Sequence, residues 1–568
     1  MMKRTMQRVV KRSLLWVLLL MSTTAYAQDV SYQIISEKDT TVSITINGIK
    51  LGSRDIHRYM YSFQSVDAEG LPVNVSAAVW VPSEIYNGSV PCDGVVLYNH
   101  FTHLKATERV SVVGEQLCNA ILSSPMKPNY VFVISDYLGF GLTENRPQAY
   151  LCGKTNSRNS LDGLLAARKL MNDYHIPQGK YLFNMGYSQG GTESMFAARL
   201  CDEEYKDKGI TFDKTFSGGG PLDFQKVYTE MVRIGRTSIP SAVVLMLVSL
   251  NENYHMGLNY KEVFQDPIAS HIDDWILSKD YTEAELRKMI GSDSLKHFLQ
   301  PAYMDMESEP AKALLKKLKE ISLTTDWNPD VTQHYYIEHS RHDDYVPIQS
   351  SRTIFSWMRE KGFTTSLVPG KTNLQTNTAV FKLGHEASAV VWLIQTAAAI
   401  QAWPVLYYEG ELNRYYNDLV KDLNLLKAIK LLESMGIDLR KLFRNQEKKE
   451  VQALLKELKD GHGQLRRSGF SDVMDILSQL SEILAKVDLT LQDFVEMLDD
   501  SGITIPDLIE AYDYLTKDPA KEQEGGRSPA AATYLIRHYE QVMAAWLLTG
   551  GIDVQYDKWG WNNLNNEE

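Results

Sequence analysis

Short apolar runs alternate with amphipathic stretches from about residue 29 to residue 403, and this alternation restricts the fold more than any other feature of the chain. Val95-Val96-Leu97-Tyr98, Tyr130 to Ile134, Tyr181 to Met185 and Tyr335 to Glu338 are bounded by Gly, Pro, Asp or Asn. Such runs suit strands buried on both faces of a parallel sheet. Val73 to Val81 alternates as a half-buried strand does. Helical patterns separate the runs: Arg109 to Leu122, Leu161 to Tyr174, Thr192 to Cys201 and Ser350 to Lys361. The expected fold class is therefore α/β, a mostly parallel sheet flanked by helices.

With 568 residues, 44% hydrophobic and 23% charged, the chain has globular proportions. That composition excludes a disordered, collagen-like or coiled-coil chain. A net charge of −12 disfavours a nucleic-acid partner. Residues 1–27 read as a signal peptide: Lys3, Arg4, Arg8, Lys11 and Arg12 are basic, Leu14 to Met21 are apolar, and Ala25-Tyr26-Ala27 supplies small residues for cleavage. No apolar stretch reaches the ~20 residues needed to span a bilayer. The expectation is an exported protein, periplasmic or secreted, beginning near Gln28. Cys92, Cys118, Cys152 and Cys201 show no CxxC spacing; they could form one or two disulfides or remain buried thiols.

The rhythm divides the chain. Residues 28–408 form the α/β unit. Within it, 224–326 is helical by pattern (Tyr228 to Ile234, Ser241 to Leu250, Thr282 to Met289, Pro310 to Leu318) and rich in Met, Tyr and Leu. An insertion there reads as a cap over the C-terminal edge of the sheet. From 409 to 568 only helical periodicities remain, and they carry no catalytic signature.

The chemistry centres on Gly186-Tyr187-Ser188-Gln189-Gly190, which follows a strand-like run and precedes a helical one. A serine in a tight strand-to-helix turn is exposed as a nucleophile, and the helix behind it aims N–H groups at a developing oxyanion. Its hydroxyl needs a base and an orienting acid, in the chain order Ser, acid, His. Asp343 is favoured over Asp344 for the acid, because it lies on the loop after Tyr335 to Glu338 and four residues before Pro347. Only His385, His462 and His538 follow it, and only His385 has a strand-like run, Thr365 to Val368, before it. The oxyanion donors expected are the N–H groups of Gln189 and Thr102, the latter in the loop after Val95 to Tyr98. The pairs His100/His103 and His339/His342 fit no familiar metal-ligand motif. No metal or cofactor is expected.

Asn99-His100-Phe101-Thr102, Asp136-Tyr137-Leu138-Gly139-Phe140-Gly141, Gly186 to Gly191, Trp327-Asn328-Pro329 and Asp343-Asp344-Tyr345-Val346-Pro347 occur in this order. Over about residues 30–405 the chain resembles the secretory-lipase branch of the α/β-hydrolases, the lipase A-like esterases with a helical cap. The resemblance implies ester hydrolysis by Ser188, Asp343 and His385, with the Asp136 to Gly141 turn near the pocket. Phe101 departs from the small residue that the family carries after its oxyanion-loop histidine, which leaves the second donor open and narrows the acyl pocket.

The function expected is that of an exported serine esterase acting on a small or lipid-like ester. Pocket candidates are Phe101, Asp136, Tyr137, Tyr187 and, from the insertion, Met246, Leu247 and Tyr254. A peptidase of the same fold and a catalytically degenerate binding scaffold are the rival readings. Acyl length, alcohol moiety and oligomeric state are not legible.

Overall fold

The computed structural model describes residues 30–46, 49–114, 116–124, 127–365, 373–377 and 383–409. The expected signal peptide and the C-terminal helices beyond Glu409 lie outside the described residues. The strands are β1 (Tyr32–Ile46), β2 (Ile49–Val66), β3 (Pro72–Pro82), β4 (Gly94–Asn99), β5 (Tyr130–Ser135), β6 (Tyr181–Tyr187), β7 (Lys214–Gly218), β8 (Tyr335–Glu338) and β9 (Leu374–Asn377). The described helices of eight or more residues are α1 (Gln116–Ser123), α2 (Gly153–Asp173), α3 (Gln189–Leu200), α4 (Phe224–Ile234), α5 (Pro240–Tyr254), α6 (Glu283–Ile290), α7 (Glu309–Glu320), α8 (Gln349–Glu360) and α9 (His385–Glu409).

One nine-stranded sheet runs β1-β2-β3-β5-β4-β6-β7-β8-β9. β1, β2 and β3 pair antiparallel, β3 meets β5 antiparallel, and every pairing from β5 to β9 is parallel. The central strands are covered on both faces, as their uninterrupted apolar runs require. In β4 and β5, Val95, Leu97, Val131 and Val133 join one core, and Val96, Tyr98, Phe132 and Ile134 the other. The first core packs against α2, α3 and the helices between β7 and β8. The second packs against α1 and α9.

Several local expectations change. The helix expected over Arg109 to Leu122 is broken at Gly114 into Val110–Val113 and α1. Gly114 has φ +74°, and a Cβ there would lie 2.5 Å from the Trp80 indole, so the glycine lets Trp80 fill that space. The strand preceding His385 forms at Leu374–Asn377; residues 366–368 of the run expected to form it lie outside the described residues. All four cysteines are free thiols, three of them buried.

Between β7 and β8 the chain is helical, and it is fastened to the loop after β5. Ser249 donates to the carbonyls of Gln148 (2.6 Å) and Tyr150 (3.1 Å). Lys279 Nζ donates to the carbonyls of Gly139 (3.0 Å), Arg146 (2.6 Å) and Glu144. Three carbonyl oxygens around a nearly buried ammonium hold the insertion and the 139–146 loop together, and burial pushes Lys279 down to about 8. Among the described residues, no helix is long and apolar enough to cross a membrane.

Candidate active site

β6 delivers Ser188 to the C-terminal edge of the parallel strands, and α3 starts at the next residue. Ser188 has φ +57° and ψ −124°, a backbone conformation that a residue with a Cβ seldom adopts. The flanking glycines make it possible. A Cβ on Gly186 would stand 2.3 Å from the Gly190 carbonyl oxygen, and one on Gly190 would stand 2.0 Å from that of Asn99. The turn is closed by the Ser188 N–H donating to Gly218 O (2.8 Å) and by Gly191 N–H donating to Ser188 O (2.9 Å). Gln189 is the first residue of α3, so its N–H has no partner within the helix and belongs to the positive end of the helix dipole.

The end of β4 lies directly against this turn. Asn99 Nδ2 donates to Asn184 Oδ1 (2.8 Å) and Ser194 Oγ (3.1 Å), which fixes the start of the 99–103 loop to β6 and α3. His100 stacks on Tyr137 at 4.0 Å, and burial pushes its imidazole down to about 3, so it stays neutral. Phe101 is half-buried and stacks on His103 at 4.9 Å. Thr102 Oγ1 donates to Tyr150 Oη at 3.4 Å.

Asp343 and His385 meet across the neighbouring edge of the sheet. Asp343 Oδ2 is 2.7 Å from His385 Nδ1. Its Oδ1 accepts the N–H groups of Tyr345 (2.9 Å) and Val346 (2.7 Å). The Asp343 side chain is wholly buried. Burial pushes its carboxyl up, but His385, His339 and the Val346 N–H outweigh that and hold it below its ordinary value. Burial likewise pushes His385 down, but the charge and hydrogen bond of Asp343, with Asp344 and Glu386, lift it above its ordinary 6.5. Tyr345 stacks on the imidazole at 4.8 Å, while the His385 backbone is held by Tyr187 Oη donating to its carbonyl (2.6 Å) and by Asp344 Oδ1 accepting its N–H (2.9 Å).

His385 and Ser188 are joined through the 218–219 turn. A Cβ on Gly219 would stand 3.1 Å from His385 Cε1, next to Nε2, and Gly218 is the acceptor of the Ser188 N–H. Among the described residues, Ser188 Oγ has no hydrogen-bond partner, and Ser188 remains partly exposed. The arrangement supplies a strained, accessible hydroxyl, an imidazole whose Nδ1 is tied to a buried carboxylate, and N–H groups at a helix start.

Neither a protein-family model nor a curated protein matches the sequence. Solved structures do match in shape. The rice cell wall degrading esterase LipA from Xanthomonas oryzae aligns over 65% of this chain and 96% of its own, with TM-score 0.52 and 19% identity. A candidate hydrolase from Legionella pneumophila aligns over 66% and 97%, with TM-score 0.54 and 18% identity. The fold is that of the α/β-hydrolases. The strained serine, Asp343 and His385 follow β6, β8 and β9, with β7 between the first two in the sheet order.

The pocket expectations fare differently from one another. Asp136 is buried beneath the surface, its carboxylate taking bonds from Ser76 Oγ (2.6 Å), Ser111 Oγ (2.6 Å) and Ser111 N (2.8 Å). It ties β3 and β5 to the 110–113 turn rather than facing a ligand. Tyr187 is also buried, its hydroxyl turned to the His385 backbone and Ser388. Leu247 has no exposed surface and Met246 almost none; both belong to the core, because α5 is apolar on every side. Tyr254 is half-buried, beside Cys152 and Thr155. Tyr137 backs the 99–103 loop, its hydroxyl 3.4 Å from the His100 carbonyl oxygen. Asp344, the less favoured candidate for the acid, accepts the N–H of His385 at the start of α9 (2.9 Å). The sequence reading overlooked Glu193, wholly buried one helical turn beyond Gln189; a lone acid among the small and apolar residues of α3 was its signal.

Proposed function

We propose that this chain is an exported serine hydrolase that cleaves carboxylic esters through an acyl-enzyme. The observation that carries the reading is the pairing of a strained Ser188 at φ +57° with a His385 held by Asp343 at 2.7 Å. The buried carboxylate keeps the proton of the neutral imidazole on Nδ1, leaving Nε2 free to take the Ser188 proton as Oγ attacks the ester carbonyl. Charge then develops on the carbonyl oxygen, and the N–H groups of Gln189 and Thr102 receive it. His385 gives its proton to the departing alcohol, and water repeats the sequence to release the acid. The rise in His385 basicity suits this task, since the imidazolium formed in the transition state lies beside Asp343.

In this reading the helical segment 224–326 is a cap beside the site, residues 1–27 direct export, and the region beyond 409 is accessory. Phe101 in the 99–103 loop borders the acyl side, and no cofactor takes part. The test is a panel of short and long acyl esters and an aminoacyl amide, with a fluorophosphonate label and Ser188→Ala as control. Ester turnover and labelling of the wild type, both lost in Ser188→Ala by several orders of magnitude, are expected. A variant retaining more than about a tenth of wild-type activity overturns the assignment of the nucleophile.

A further inference from the structure

Glu193 is wholly buried in the middle of the molecule, and the reaction as described makes no use of it. Its Oε1 accepts from Asn156 Nδ2 at 3.0 Å and from Gln189 Nε2 at 3.5 Å. Its Oε2 is 3.4 Å from Ser157 Oγ. Asn156 Nδ2 also holds the carbonyl of Ala149 (2.6 Å), and the next residue, Tyr150, receives the Thr102 hydroxyl (3.4 Å). Hydrogen bonds therefore lead from Gln189 through Glu193 and Asn156 to the Ala149 carbonyl, and the adjoining Tyr150 receives the hydroxyl of the half-buried Thr102. The two ends are the residues whose N–H groups are proposed above to form the oxyanion hole. We infer that Glu193 is a positioning residue for that hole, linking the Gln189 turn to the loop that carries Thr102. This inference rests on the esterase reading.

The surroundings of the carboxyl also favour one of its two forms. Ser157 has one hydroxyl proton, and at 2.7 Å it is directed to the Glu193 backbone carbonyl. Oε2, 3.4 Å from the same hydroxyl, receives at most a weak share of that proton, so an ionised carboxylate would have one oxygen poorly satisfied. Among the described residues, the groups facing the carboxyl include no cation: from the 149–152 turn come Tyr150 and Cys152, from α5 Tyr254, from α2 Asn156 and Ser157. The three titratable groups are each pushed up by burial and remain neutral. Burial pushes Glu193 itself up to about 8, with Asn156, Gln189 and Ser157 only partly countering it. Ionisation places an unpaired negative charge behind Gln189, where it opposes a developing oxyanion.

The experiment compares wild type with Glu193→Gln and Glu193→Ala across pH. Glutamine is uncharged at every pH, offers Oε1 to the same donors and can itself donate to Ser157. Wild type is expected to lose kcat above about 8, and Glu193→Gln to keep kcat within a few-fold near neutral pH and to lack that fall. Glu193→Ala is expected to lower kcat about tenfold or more with little change in KM, since the hole acts on the transition state. An alkaline fall in Glu193→Gln identical to that of wild type overturns the inference.

A second measurement needs no turnover. A carboxyl raised in the folded state binds its proton more tightly there than in the unfolded chain. Wild-type stability must therefore fall relative to Glu193→Gln as pH rises from the unfolded value of about 4.3 to about 8, and level off above that. Parallel denaturation curves for the two proteins overturn the inference whatever the activity. A wild type inert on every ester, with this divergence intact, counts against the esterase reading and not against the state of Glu193.

Discussion

Replacing Asp343 by Asn changes one atom and reverses the hydrogen-bonding logic of the site. Asp343 Oδ1 accepts two backbone N–H groups, from Tyr345 at 2.9 Å and Val346 at 2.7 Å, while Oδ2 faces His385 Nδ1. An asparagine must keep its carbonyl oxygen under those two N–H groups, which turns its NH₂ toward His385. Nδ1 must then accept, the imidazole proton moves to Nε2, and the nitrogen facing Ser188 is no longer a base. Flipping the amide restores the tautomer but opposes two N–H donors with an NH₂, at about 1–3 kcal/mol for each donor left unpaired. That ~2–6 kcal/mol leaves the productive form at between roughly 1 in 30 and 1 in 10⁴. Loss of the charge that stabilises the imidazolium adds to it, so a fall in kcat on the order of 10⁴ is expected, as in serine proteases. The assay is kcat on p-nitrophenyl acetate, with circular dichroism and a melting curve to show an intact fold. A folded Asp343→Asn protein within tenfold of wild type refutes the reasoning. Asp344→Asn is the internal control: it retains an oxygen for the His385 N–H and should cost only a few-fold. The reverse ranking identifies Asp344 as the working acid.

Two further outcomes follow from the same geometry. In Gly190→Ala the new Cβ stands 2.0 Å from Asn99 O, against about 3.4 Å for ordinary contact, so the turn and the 99–103 loop must part by more than an ångström. Misplacement on that scale costs on the order of 10² in kcat, and steady-state kinetics on a short ester together with a melting curve separate this from unfolding. The acid limb of kcat/KM should have its midpoint above 6.5, because His385 is raised and must be neutral to act. The stability its protonation contributes is complete below the unfolded value and disappears as pH rises through the folded one. A limb centred below 6.5 contradicts the claim that Asp343 controls His385.

The parts of the fold legible in the sequence are those where one signal had one cause. β4, β5 and β6 are buried on both faces, so their apolar runs can be read directly, and the turn at Ser188 is marked by glycines that no other residue can replace there. β7 went unread because Phe216 is its one large apolar residue: Gly218 yields its space to Trp392 and Tyr187, and Ser217 donates to the Gly191 carbonyl. β1 and β2 went unread because much of their pairing is polar, as where His57 stands between Glu37 (2.9 Å) and Asp39 (2.7 Å). Met246 and Leu247 were misjudged for a different reason. On a helix that is apolar all round, composition does not distinguish a wall facing a ligand from a wall facing the core. The serine, acid and histidine could be placed by motif and chain order, whereas Glu193 could be valued only once its neighbours in space were known.

The conformation of Ser188 bears on how this protein responds to selection. Holding a non-glycine residue at φ +57° costs about 1–3 kcal/mol, a sizeable share of the ~5–15 kcal/mol that keeps a typical domain folded. Glycine alone relaxes that cost, and glycine has no hydroxyl. Any screen that rewards yield, solubility or heat resistance therefore favours exchanging this serine for glycine, and gains its sturdiness by deleting the reacting atom. Only a screen that also demands turnover keeps the oxygen in place.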